Sequence, residues 1–270
     1  MKTLFSKYTF LFILAAAAFS CTDNEIEIDP TADLTKISEG FAIGAATKVE
    51  VWSDQELFVG YNNIFIALYD SVTGNRITKA TINFYPEMSM MGGMKHACPL
   101  ENPAMDAVDK LFQGALLFIM PSGDMGSWKL EIKIQNPSNN KTGMASLSVT
   151  VANPTNACMK SFVTDASEKI FVGYSFSKGM KVGVNDFEVM VYNKVGNYEF
   201  VPVEDYSFVL TPEMPSMDHG SPNNVNPTYA SQGHYKGKVN FTMTGGWRLN
   251  LKISQGDALV TDLYFDVEVE

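Results

Sequence analysis

The chain of 270 residues is short of histidine, cysteine and tryptophan, with three of each. His96, His219 and His234 are the only imidazoles. No Gly-x-Ser-x-Gly elbow, His-Glu-x-x-His helix or phosphate-cradling glycine loop accompanies them. Asp218 adjoins His219, but neighbours on a strand face opposite ways. These shortages point to a non-enzyme with no catalytic residues. Basic residues are also few, 20 Lys and Arg against 30 Asp and Glu, giving a net charge of −10 and a pI of about 4.8. Such a surface repels phosphates and excludes nucleic acid as a partner. Beyond the N-terminus no stretch reads as a long helix. Apolar residues at 46% nevertheless describe a globular protein.

The N-terminus reads as an address. Lys2 and Lys7 form a basic start, Phe10 to Phe19 a short apolar run, too short to span a bilayer. It ends in Ala17-Ala18-Phe19-Ser20-Cys21, which resembles a bacterial lipoprotein signal, with Ala18 where leucine is more usual. Residues 1–20 are then the signal peptide and Cys21 the lipidated first mature residue. A plain signal cleaved near Ala18 or Ser20 is the alternative. Lipidation implies an extracytoplasmic protein anchored to a membrane, at the periplasmic face or cell surface of a Gram-negative envelope. Residues 21–46 begin acidic and polar and read as a tether.

Past the tether one pattern is written twice. Phe58-Val59-Gly60-Tyr61 recurs as Phe171-Val172-Gly173-Tyr174, and Pro86-Glu87-Met88 as Pro212-Glu213-Met214. His96, Pro99 and Pro103 line up with His219, Pro222 and Pro227. Trp128-Lys129-Leu130-Glu131-Ile132-Lys133-Ile134 recurs as Trp247-Arg248-Leu249-Asn250-Leu251-Lys252-Ile253. Matches in one order indicate an internal repeat, with copies at 47–155 and 156–270 divided near Asn153-Pro154-Thr155-Asn156. Lys178 to Gly183 reads as an insertion in the second copy.

Within each copy the apolar residues come in short β-rich runs. Trp128, Leu130, Ile132 and Ile134 alternate with Lys129, Glu131 and Lys133, the mark of a half-buried antiparallel strand. Trp128 and Trp247 are core anchors at strand starts. Met105 to Phe112 reads as a helical turn. The expected fold class is all-β, two tandem β-sandwiches.

Two long loops hold the chemistry, and loops of about two dozen residues within compact domains are functional or disordered. The first carries Met88, Met90, Met91, Met94, His96 and Cys98; the second carries Met214, Met217 and His219, with His234 further on. Thioethers are soft ligands that select Cu(I), and imidazole tolerates Cu(I), Cu(II) and Zn(II). Without clustered carboxylates, Ca²⁺ and Mg²⁺ are poor matches. One Cu(I) held by a subset of Met214, Met217, His219 and His234 is the expectation, with Pro215 aiming both thioethers inward. Methionine also fills irregular gaps in cores, so core packing is the competing account, and the one preferred for Met120 and Met243.

The order Pro-x-Met-x-x-Met-x-His, a Tyr element, then Met-x-Gly-x-Trp resembles the YtkA-like/FixH-like extracytoplasmic domains. Met214, Met217, His219, Tyr235, Met243, Gly246 and Trp247 carry the resemblance. The first copy departs from it, with Leu111-Phe112 where the second has His234-Tyr235. The resemblance implies immunoglobulin-like sandwiches and an association with copper handling or cytochrome-oxidase maturation. A copper-transfer or outer-membrane protein is the partner it suggests. The alternative is an adhesion or scaffold lipoprotein whose tandem domains bind a protein. Cys98 and Cys158 could pair as a disulfide in an oxidising compartment, or Cys98 could serve as a thiolate beside His96.

Overall fold

The computed structural model describes residues 29–270. The signal segment, Cys21 and the first part of the expected tether lie outside the described residues. The first sandwich contains β1 (Thr35–Ala42), β2 (Thr47–Ser53), β3 (Gly60–Asp70), β4 (Arg76–Ile77), β5 (Thr81–Met90), β6 (Lys95–His96), β7 (Leu100–Glu101), β8 (Phe112–Phe118), β9 (Gly126–Asn136) and β10 (Lys141–Val149). The second contains β11 (Met159–Val163), β12 (Lys169–Phe176), β13 (Gly183–Lys194), β14 (Phe200–Pro202), β15 (Tyr206–Met214), β16 (His219–Gly220), β17 (Val225–Ser231), β18 (His234–Phe241), β19 (Gly245–Gln255) and β20 (Ala258–Val269). A 3-10 turn at Pro215–Met217 is the one helical element among the described residues.

Alternation builds these layers. On β9, Trp128, Leu130, Ile132 and Ile134 are buried, while Lys129, Glu131 and Lys133 lie on the other face. Register with β5 sets Phe84 opposite Ile132 and Ile82 opposite Ile134. Facing them, β3 contributes Ile64, Ile66 and Leu68 to the same core. Each such side chain stabilises the fold by about 1.5–3 kcal/mol over leaving it exposed.

Both sandwiches have one strand order. Sheet β1-β2-β3-β8-β7 faces β10-β9-β5-β6, and sheet β11-β12-β13-β18-β17 faces β16-β15-β19-β20. Equivalent residues follow from the register. Gly60 opens β3 and Gly183 opens β13, both at positive φ, where a side chain would be strained. Two residues on, Asn62 accepts from the Phe58 N–H and donates to the Phe58 and Gly60 carbonyls. Asn185 does the same with Lys181 and Gly183. On β8, Phe112 sits opposite Ile66; on β18, Tyr235 sits opposite Val189.

The structure corrects four expectations. Phe58–Tyr61 leads into β3, whereas Phe171–Tyr174 lies in β12, the partner of β2 in strand order; that match of letters joins different strands. For the same reason Lys178 to Gly183 is no insertion: Ser177–Val182 is the connection equivalent to Asp54–Val59, and Gly183 opens β13 as Gly60 opens β3. The expected tether 21–46 ends early, because Thr35–Ala42 pairs with β2, Ile37 packs on the core, and Lys36 bridges to Glu50 at 3.1 Å. Met105 to Phe112 forms no helical turn: Val108 and Leu111 pair across a tight reversal and β8 starts at Phe112.

The sandwiches meet through residues on the outer faces of β3 and β8 in the first and of β12 and β13 in the second. Leu117 of the first joins Phe171, Met190 and Tyr192 of the second in one buried cluster, with Tyr61 and Ile119 packed against it. Gly173 allows the approach, since a Cβ there would lie 2.6 Å from Leu117 Cδ1. The connecting residue Ala152 is pinned to Leu57 and Val59 by backbone hydrogen bonds.

Candidate functional site: methionine–histidine hairpins and a junction cluster

At the end of β15 the chain reverses through Pro215–Met217, Asp218 adopting a left-handed conformation, and returns as β16 with His219 opposite Met214. Cross-strand partners share a sheet face. Met214 is buried in the core. The Trp247 indole donates to the Met243 carbonyl at 3.0 Å, and the exposed His219 ring meets Trp247 edge-on with centroids 6.2 Å apart. His219 Nε2 lies 3.1 Å from Thr242 Oγ1. Met217 is 61% exposed, so Pro215 turns Met214 inward and Met217 outward rather than aiming both inside.

The first sandwich has the same arrangement. His96 on β6 sits opposite Met88, which in turn sits opposite Trp128. The Trp128 indole donates to the Met120 carbonyl at 2.8 Å, so Met120 is the counterpart of Met243. Met88 is buried in the core, Met90 packs partly against it, and Met91 and Met94 are exposed at the tip. The Met90 N–H donates to the Met94 carbonyl. A residue the sequence reasoning missed stands beside them: the Met91 N–H donates to the carbonyl of Met125, also exposed. The signal was the longer loop between β8 and β9, which carries an extra methionine.

His234 belongs elsewhere, and the expected set of four ligands is not assembled. His219 reaches Thr242, just past the end of β18, whereas His234 begins that strand. Eight residues of strand separate them by about 26 Å. His234 instead stands at the junction of the sandwiches. Its Nε2 is 2.8 Å from Glu101 Oε1 of the first and its Nδ1 3.0 Å from Glu188 Oε1 of the second. Tyr192 donates to Glu101 Oε1 at 2.6 Å and Tyr61 to Oε2 at 3.2 Å. Burial opposes charging His234, but its bonds to Glu101 and Glu188 outweigh that and raise its pKa to about 9. Burial pushes Glu101 up, yet the bonds from His234 and Tyr192 bring it below the usual carboxylate value. Burial, then the Glu101 charge, pushes Tyr61 and Tyr192 well above the usual phenol range. A cleft of about 1300 Å³ opens beside this cluster, between the sandwiches.

The expected Cys98–Cys158 disulfide is absent; both cysteines are free. Cys98 lies in the core of the first sandwich, and burial holds its thiol well above the ordinary pKa, against the thiolate alternative too. Cys158 sits 3.7 Å from the Tyr174 hydroxyl in the second sandwich. Among the described residues no group of three or more His, Cys, Asp or Glu is placed to hold a metal ion.

No curated protein matches the chain. Among solved structures it is similar to domains 5–6 of the S-layer protein SbsC, at 14% identity over 87% of this chain and 97% of that one, with a TM-score of 0.32. It is also similar to the Escherichia coli adhesin FdeC, at 13% identity over 86% of this chain and 66% of that one, with a TM-score of 0.27. The model of the YtkA-like family matches residues 167–252, from just before β12 to Lys252 within β19. The second sandwich thus carries the YtkA-like match, with Met214, Met217, His219 and Trp247 inside it.

Proposed function

We propose that the protein is an extracytoplasmic module, anchored through a lipidated Cys21, whose two sandwiches are copies of one domain and each hold a soft monovalent metal ion, Cu(I), at the hairpin end. The observation that carries this is the Met–His cross-strand pair beside a tryptophan, Met88–His96 in one sandwich and Met214–His219 in the other, at one register. In the second sandwich His219 and the exposed Met217 are the donors, with Met214 behind them. In the first they are His96, Met90, Met91 and Met94, joined by Met125. Thioether and imidazole donors suit Cu(I), and the ion would supply redox-active cargo for transfer rather than a catalytic step. The protein acts as a binder that hands its ion to a partner, not as an enzyme.

Each sandwich has its own hairpin end. The first lies near the linker, since Trp128 pairs with Val149, and the second near the C-terminus, since Trp247 pairs with Val267. Each ion would have its own site. The second reading, a scaffold or adhesion lipoprotein, draws on the buried cluster that docks the sandwiches. Competition titration of the full chain in detergent with Cu(I) separates the two readings. Copper carriage requires two ions per chain, one lost in Met217→Leu/His219→Ala and the other in Met91→Leu/Met94→Leu/His96→Ala. No stoichiometric uptake by the folded wild type leaves the scaffold.

A further inference from the structure

Equivalent positions of the two sandwiches differ in character at the junction. Gly60 and Gly183 open equivalent strands, so Tyr61 corresponds to Val184 and Phe65 to Glu188. Asn102 accepts from the Phe84 N–H as Asn226 does from Leu210, so Glu101 corresponds to Val225. Phe112 and Tyr235 are equivalent, so Leu111 corresponds to His234. At every one of these positions one sandwich has a polar or ionisable group and the other an apolar side chain. The polar members are the ones that meet across the junction, while Val184 and Val225 of the second sandwich face solvent. The domain fold therefore does not require this cluster. It is a feature of docking these two sandwiches in this order.

The chemistry of the ring specifies its charge. Both nitrogens of His234 face oxygens of carboxylates, which only accept. A neutral imidazole has one donor and one acceptor and would turn a lone pair toward one carboxylate. An imidazolium donates on both sides. We propose that His234, as an imidazolium bridging Glu101 of the first sandwich and Glu188 of the second, is the clamp that docks the two domains, and that docking is released when its proton is lost. The groups facing the clamp are Glu101 from β7, Tyr61 from β3, Glu188 and Tyr192 from β13, and Lys236 from β18, 3.7 Å from Glu188. The Tyr61 ring meets the imidazole edge-on, at 5.7 Å between centroids, and closes one side of the site.

Because folding raises the pKa of His234, its contribution is fully present below the unfolded value near 6.5 and is lost as pH rises through about 9. The lowered Glu101 keeps its charge at mildly acid pH. Calorimetric unfolding of the full chain in detergent, at pH 6 and pH 10, tests the proposal. At pH 6 His234→Leu, which installs the side chain of the equivalent position, should unfold several degrees below wild type. At pH 10 the difference should shrink to within about a degree. Glu101→Gln, which keeps the shape and loses the charge, should behave alike and serves if the leucine variant does not fold. In ¹⁵N spectra of wild type, the His234 ring should stay doubly protonated through pH 8. An equal gap at both pH values, no gap at pH 6, or titration of His234 near 6.5 overturns the clamp.

Discussion

Replacing Asn62 and, separately, Asn185 by alanine tests the equivalence of the two sandwiches at their most constrained point. Each amide is buried and makes three hydrogen bonds that hold the residues before a strand against the positive-φ glycine that opens it. Alanine leaves an N–H, at Phe58 or Lys181, without its acceptor, costing about 1–3 kcal/mol, and two carbonyls short of one donor, costing about 0.5–1 kcal/mol each because a carbonyl oxygen has a second lone pair. About 3 kcal/mol per site is expected, a fall in Tm on the order of 10 °C for the domain concerned. Aspartate is the sharper probe. Its carboxylate still accepts from the N–H but faces two carbonyl oxygens it cannot serve, so its pKa should rise on folding. The variant should then be poorer than alanine at pH 7 and recover as pH falls through the raised folded value, completely once below about 4, the unfolded aspartate value. Thermal unfolding at pH 3.5 and pH 7, followed separately for each domain, reads both effects. A cost below about 0.5 kcal/mol in one sandwich beside a full loss in the other would refute the equivalence.

Three further outcomes are expected. Glu50 is pushed up by burial but brought down more strongly by bonds from Lys48 and Lys36, to a pKa of about 2; Glu50→Gln should cost about 1–2 kcal/mol after solvent screening, and the difference from wild type, measured by denaturant titration, should vanish as pH falls from 4.5 through 2. Gly143→Ala should destabilise the first sandwich by about 2–4 kcal/mol, because its Cβ would lie 2.4 Å from the Ile43 carbonyl oxygen, backbone that cannot swing away; an unchanged Tm would count against the close packing of β1 on β10. Native chain treated with iodoacetamide should keep Cys98 unmodified, and its non-reducing peptide map should lack a Cys98–Cys158 crosslink; rapid labelling of Cys98 would show that the core around it opens.

Much of this was legible in the order of residues. The alternation after Trp128 and Trp247 states which side chains go inward, because the two-residue period of a strand is a local property. The pairing of His96 with His219 and of Pro86–Met88 with Pro212–Met214 could be read too, and structure sets each in the same hairpin register. What tertiary structure alone decided was everything that depends on which strand lies beside which. Phe-Val-Gly-Tyr occurs twice in letters but in different strands, since apolar runs look alike whichever neighbour they pair with. His234 lies fifteen residues after His219, close enough to suggest a shared site, yet β18 carries the one a strand's length from the other. Its actual partner, Glu101, is 133 residues away, a separation across which no local pattern carries information. The sequence by itself determined the composition of each face; strand pairing and domain docking, both long-range, determined which faces meet.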